Sequence, residues 1–126
     1  METKRELYAK ADLSPSTLIP HDLNSPSPLL SVLPSTFSPS SPTLVIIEAV
    51  MFYLSPPAVN SLLEQSLTIP GGTTVLVDNL AKAGCQPGGP ANVLKERCGE
   101  VGKKYGKVLG EHKAIWGGAI HMAEFQ

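Results

Sequence analysis

The chain has 126 residues, a formal net charge of -1 and 42% hydrophobic residues, enough to form the core of one ordinary domain. Its basic residues are not gathered into one block, so we expect neither a nucleic acid partner nor attachment to an anionic membrane. No apolar run approaches the roughly 20 residues that a membrane span needs. We therefore expect partners that are small molecules or proteins.

The two cysteines, Cys85 and Cys98, lack the paired spacing of a zinc site. Because no signal peptide is recognisable, the sequence predicts reduced thiols in a cytoplasmic protein.

The first third of the chain predicts loosely organised structure. Residues 1–15 contain a short charged helix that should end before Ser14-Pro15, since the residue preceding proline leaves the helical region. Residues 16–23 (STLIPHDL) form a strand candidate. Residues 24–42 are rich in serine and proline but contain several apolar positions, which indicates a loosely helical crossover or a partly disordered one. The main α/β part is expected over residues 43–126.

The run Thr43 to Leu54 (TLVIIEAVMFYL) is almost continuously apolar. Such runs are typical of strands in parallel sheets covered on both faces. Its one carboxylate, Glu48, stands where a buried strand should surface. Because ligands bind at the carboxyl ends of strands in open α/β sheets, Glu48 is a candidate site residue.

The remainder alternates between helices and strands. Ser55 can cap a helix with Pro56 in its first turn. A second buried strand is expected over Thr73 to Leu80, with Asp78 near its end, either facing the same crevice as Glu48 or capping a helix or loop. A helix over residues 92–105 and two strands over 112–125, bent at Gly117-Gly118, complete an α/β sheet with right-handed crossovers.

One strand candidate ends at His21-Asp22-Leu23, and a later run reads Pro42-Thr43-Leu44-Val45-Ile46-Ile47-Glu48-Ala49-Val50-Met51-Phe52-Tyr53-Leu54-Ser55-Pro56. Together these two segments resemble the leucine carboxyl methyltransferase family. These are class I O-methyltransferases dependent on S-adenosylmethionine (SAM). The resemblance is good from about Asp22 to Leu63 and thin beyond. It implies a partial Rossmann-like sheet with flanking helices and a C-terminal antiparallel strand pair, in one partial domain over residues 1–126.

The resemblance also implies roles for four residues. Asp22 and Leu23 would border the adenine of SAM, Glu48 would lie by its methionine part, and Tyr53 would shape the pocket wall. A carboxylate near a cationic amino group and a sulfonium ion is chemically reasonable. Without the resemblance, the residues favour Asp22 as a turn former before Asn24-Ser25-Pro26.

The family's glycine-rich loop and upstream basic residue have no match here, and position 49 is alanine where glycine or cysteine is more usual. We therefore expect a truncated, carboxyl-terminal half of a methyltransferase. The strand order 3-2-1-4-5-7-6 implied by the resemblance would then leave the Thr43 strand at an edge, with an aggregation-prone apolar face.

The leading hypothesis, implied by the resemblance, is a SAM-dependent O-methyltransferase, or the remaining half of one, that methylates a carboxylate; a protein carboxyl-terminal leucine is the family's best-known acceptor. One alternative is a non-catalytic α/β fragment acting through a protein partner that could supply the missing strands. Another is a different doubly wound enzyme with a nucleotide site. A metal site is not expected, because the spacing of His112 and His121 matches no ligand pattern. The Gly99, Gly102, Gly106 and Lys107 spacing does not form a phosphate loop.

Overall fold

The computed structural model of the chain describes residues 4–12, 17–80, 89–115 and 120–126. The helices and strands within these ranges, in chain order, are α1 (Lys4–Lys10), α2 (Leu29–Val32), β1 (Thr43–Ile47), a 3-10 helix (Met51–Tyr53), α3 (Pro56–Leu67), β2 (Thr73–Leu80), α4 (Pro90–Lys104), β3 (Leu109–Ile115) and β4 (Ile120–Phe125).

The four strands form one mixed sheet in the order β1-β2-β4-β3. β1 and β2 are parallel, with Ile47 in register with Val77, whereas β4 is antiparallel to both β2 and β3. This arrangement confirms the predicted α/β class and the C-terminal antiparallel pair. It also matches the last four positions of the strand order that the resemblance implies, and it is compatible with part of a Rossmann-like fold.

The core lies between the sheet and the helices α3 and α4. Val75 and Val77 on β2 and Leu63 on α3 are fully buried there. α3 begins as predicted, with Ser55 at the N-cap position and Pro56 in the first turn, although the Ser55 side chain makes no capping hydrogen bond. Lys104 of α4 forms an ion pair with Glu64 of α3, at 2.7 Å. The two helices therefore pack as one layer on one face of the sheet.

The opposite face of β1 is open among the described residues, so the prediction of a strand covered on both faces is wrong. Leu44 is 57% exposed and Ile46 is 56% exposed, while Ile47 is buried. Alternate side chains of a strand point to opposite faces, and only one face meets the helices. β1 also ends at Ile47 rather than continuing through the apolar run, because the chain turns at Ala49 and enters the 3-10 helix.

The strand predicted over residues 16–23 is absent from residues 17–23, the part of it that the structure describes. A strand needs a neighbour for its backbone hydrogen bonds, and none of the four strands lies beside this segment. The helix expected in residues 1–15 spans Lys4–Lys10 among the described residues.

The serine- and proline-rich segment follows the loosely helical alternative. It contains the four-residue α2, and the backbone N–H of Leu29 donates to Oε1 of Gln65 on α3. This bond fastens α2 to the helical layer.

The last two strands form the predicted antiparallel pair. The irregularity in their pairing lies between Glu111 and Ala114 on β3. The bend expected at Gly117-Gly118 lies outside the described residues, as does Trp116. Within the described part of the chain, no helix combines the length and apolar character of a membrane span.

Candidate functional site

Glu48 is the first residue after β1 and its side chain is exposed. It lies at the carboxyl end of the parallel pair β1 and β2, which is the edge where open α/β sheets bind ligands. Glu48 is exposed, as expected for a carboxylate without a buried partner, whereas Ile47 immediately before it is buried. Glu48 therefore presents a negative charge at the expected edge.

The next residue, Ala49, has a left-handed backbone with φ of 52°. For a residue with a Cβ atom this conformation costs about 1–2 kcal/mol. The Ala49 N–H donates a 2.7 Å hydrogen bond to Oδ2 of Asp78 on β2. A charge-assisted hydrogen bond of this length offsets the cost, so Asp78 stabilises the turn that follows Glu48.

Asp78 is the one buried charged residue among those whose side chains the structure describes, with 7% of its surface exposed. Its Oδ1 atom is also buried and has no hydrogen-bond partner. Sequence reasoning placed Asp78 near the end of a strand but left its role open. The structure places it at the same sheet edge as Glu48, since both come one residue after the registered pair Ile47 and Val77.

Tyr53 closes the 3-10 helix that follows this turn. Its N–H donates to the carbonyl oxygen of Val50 at 3.0 Å, and its side chain is 82% exposed. Met51, two residues earlier, is buried in the core and anchors the segment. Tyr53 is therefore held by its backbone while its ring is free to contact a ligand.

Asp22 and Leu23 occupy a turn rather than a strand end. The Asp22 carboxylate accepts a hydrogen bond from the N–H of Asn24 at 2.9 Å, as expected for the turn-forming interpretation. Leu23 is half-buried and packs against the core. The Asn24 side chain accepts a 3.0 Å hydrogen bond from the N–H of Ser55, which joins this turn to the segment just after Tyr53.

The structure thus brings the four predicted residues onto two connected segments, but their shared contact with a cofactor stays a prediction. Sequence reasoning missed Asn24, whose bond to Ser55 spans 31 positions. Asparagine beside Asp22 indicated only a turn, and nothing local in the sequence identifies its distant partner.

A groove of about 320 Å³ lies beside the 3-10 helix, between the N-terminal halves of α3 and α4. Apolar side chains form most of its described lining, including Met51, Phe52 and Val59, and Arg97 supplies the one charge among these described residues. The Arg97 guanidinium also donates to Oδ1 of Asn60 at 3.3 Å. The groove can hold an apolar group next to an anion.

Metal chemistry finds no support in the described residues, where no group of three or more acidic, histidine or cysteine side chains could hold an ion. The side chains of His112 and His121 lie outside the described part. Cys98 is a free, buried thiol, and burial raises its pKa from 9.0 to about 11. Cys85 lies outside the described residues.

The fold and the acidic sheet edge define an α/β protein with a candidate ligand site at the carboxyl ends of parallel strands. The sequence profile of the leucine carboxyl methyltransferase family matches residues 1–67, which is more than half of the 126 residues. The chain therefore belongs to the leucine carboxyl methyltransferase family. Searches of curated proteins and of solved structures each found no match.

Proposed function

We propose that the chain functions in SAM-dependent methylation of a carboxylate, with a protein carboxyl-terminal leucine as the acceptor. The observation that carries this proposal is Glu48, an exposed carboxylate at the carboxyl end of a parallel strand pair, inside the segment that matches the family. A negative charge at this edge favours a cationic ligand group.

The four candidate residues carry groups that suit the chemistry of SAM. Glu48 would hold its amino group, while the Asp22 turn and Leu23 would border the adenine and Tyr53 would form a wall. Asp78 is a buried acidic residue at the same edge, and its Oδ1 atom has no hydrogen-bond partner. When bound, SAM supplies a methyl group that the adjacent sulfonium makes reactive.

The protein's own task is to align the acceptor and exclude water. A carboxylate acceptor needs no strong general base, which agrees with a site built from binding groups. The groove beside the 3-10 helix supports this acceptor class, because an apolar side chain could fill it while its carboxylate meets Arg97.

The test is titration calorimetry of SAM into the chain and into Glu48→Gln. We expect Glu48→Gln to weaken binding about tenfold, because a hydrogen bond to a charged group contributes roughly 1.5–3 kcal/mol when buried and less when exposed. Glu100→Gln, which removes an exposed glutamate from α4, is the matched control and should bind as the parent does.

S-adenosylhomocysteine separates the two charges of the ligand, because its sulfur is neutral while its amino group remains. If Glu48 holds the amino group, Glu48→Gln should weaken the binding of SAM and of S-adenosylhomocysteine by the same factor. No binding of SAM to the parent chain would refute the proposal, and equal affinity of parent and Glu48→Gln would remove Glu48 from the site.

A second candidate function is that of a non-catalytic α/β chain acting through a protein partner. The observation favouring it is the position of β1 at the edge of the described sheet, with Leu44 and Ile46 exposed on its open face. Such an edge can pair with a strand from another chain. This candidate predicts that Ile46→Lys abolishes a specific complex while leaving the fold intact, as measured by sedimentation and circular dichroism.

A further inference from the structure

Two unusual features meet at the residue that follows Glu48. Ala49 is one of two residues other than glycine with positive φ in the described chain, and its N–H is held by the buried carboxylate of Asp78. Backbone strain and buried polar groups that lack partners concentrate at functional sites. Their coincidence here calls for an explanation beyond the stability of the fold.

We propose that Asp78 is a positioning residue that sets the direction of Glu48, an inference that rests on the proposed function. The hydrogen bond to the Ala49 N–H fixes the peptide group joining residues 48 and 49. Fixing that peptide group restricts the backbone of Glu48 and hence the direction of its Cα–Cβ bond. Asp78 acts through the turn and does not itself contact the ligand, because neither carboxylate oxygen is free at the surface: Oδ2 holds Ala49 and Oδ1 is buried.

The position of Asp78 suits this role. It is on β2, which is paired on both sides, by β1 and by β4. Its backbone is paired in register with Met122 of β4, so its placement is set by the interior of the sheet. Glu48, in contrast, follows an edge strand that has a neighbour on one side only in the described sheet. Asp78 is held in place by the sheet, and through the Ala49 turn it restricts Glu48 at the edge of the sheet.

Three variants test the inference through SAM affinity measured by calorimetry. Asp78→Ala removes the acceptor and should weaken binding about tenfold. Asp78→Asn keeps an oxygen acceptor and should stay within about threefold of the parent. Adding Ala49→Gly to Asp78→Ala should recover much of the lost affinity, since glycine adopts positive φ without the steric cost.

The inference is overturned if Asp78→Ala binds as the parent does. It is also overturned if Asp78→Asn and Asp78→Ala lose affinity equally and Ala49→Gly recovers none, since the carboxylate charge would then matter rather than the turn. Thermal unfolding of each variant identifies any loss that comes from unfolding.

If the parent chain does not bind SAM, the proposed function fails. The positioning role of Asp78 can still be tested by NMR of the Ala49 amide proton. Its NMR resonance should lie downfield in the parent and in Asp78→Asn, and move upfield in Asp78→Ala. An unchanged resonance in Asp78→Ala would refute the inference regardless of ligand binding.

Discussion

Replacing Gly71 with alanine is expected to destabilise the chain more than the same change at its neighbour Gly72. Both glycines follow α3 and have positive φ, 90° at Gly71 and 85° at Gly72. A Cβ atom at Gly71 would overlap the carbonyl group of Ser40 and lie 2.9 Å from its Cα atom, whereas one at Gly72 would have no atom within 4 Å. Alanine at either position would therefore bear the cost of a positive φ, but only alanine at Gly71 would also clash with Ser40.

The expected magnitudes follow from this difference. Gly72→Ala carries only the cost of a left-handed conformation, about 1–2 kcal/mol. Gly71→Ala adds overpacking against a backbone, typically about 1–3 kcal/mol, for a total of about 2–5 kcal/mol. The segment at risk leads into β1, because the N–H of Thr43 donates to the carbonyl of Gly72 at 3.0 Å.

Urea unfolding followed by circular dichroism gives the free energies directly, and each kcal/mol should lower the Tm by roughly 4 °C in a domain of this size. Equal losses in the two variants would refute the reasoning, since they would show that the approach of Ser40 to Gly71 contributes nothing. Gly72→Ala serves as the control for the shared backbone cost.

Two further predictions concern the core. In a Cys85→Ser background, Cys98 should react slowly with a thiol reagent near neutral pH and rapidly after denaturation, because burial raises its pKa to about 11. Since this folded-state pKa exceeds the unfolded value of 9.0, the associated stability is complete below about pH 9 and is lost as pH rises through about 11, which urea titrations at several pH values measure. Leu63→Ala should cost about 2–5 kcal/mol, because this side chain is fully buried, whereas Leu44→Ala on the open face should change stability by under about 1 kcal/mol. Similar losses at Leu63 and Leu44 in chemical denaturation would contradict the assigned faces.

Local patterns predicted much of the fold. The bounds of β2, Thr73 to Leu80, and the start of α3 after Ser55 follow from apolar runs and proline placement, which act within a few residues. The exposure of Glu48 was predictable because an unpartnered charge is costly inside a core.

The errors came from contacts between distant parts of the chain. Residues 17–23 have the composition of a strand but no strand beside them, and composition cannot supply a neighbour. The apolar run alone predicted that β1 is covered on both faces, because a continuous apolar run does not reveal which face a helix will cover, whereas the expectation of an exposed apolar edge came from the resemblance. The hydrogen bond from the Ala49 N–H to Asp78 depends on the register of β1 and β2 and joins residues 29 positions apart.

β1 and β2 differ in the number of neighbouring strands, so their backbone hydrogen bonds should open locally at different rates. β2 shares its backbone hydrogen bonds with strands on both sides, whereas β1 has one partner in the described sheet. In hydrogen–deuterium exchange, amides along β1 should therefore become labelled well before those of β2. A ligand bound to Glu48 would stabilise β1 against local opening. Its binding should therefore slow deuterium exchange at the amides of Val45 and Ile47.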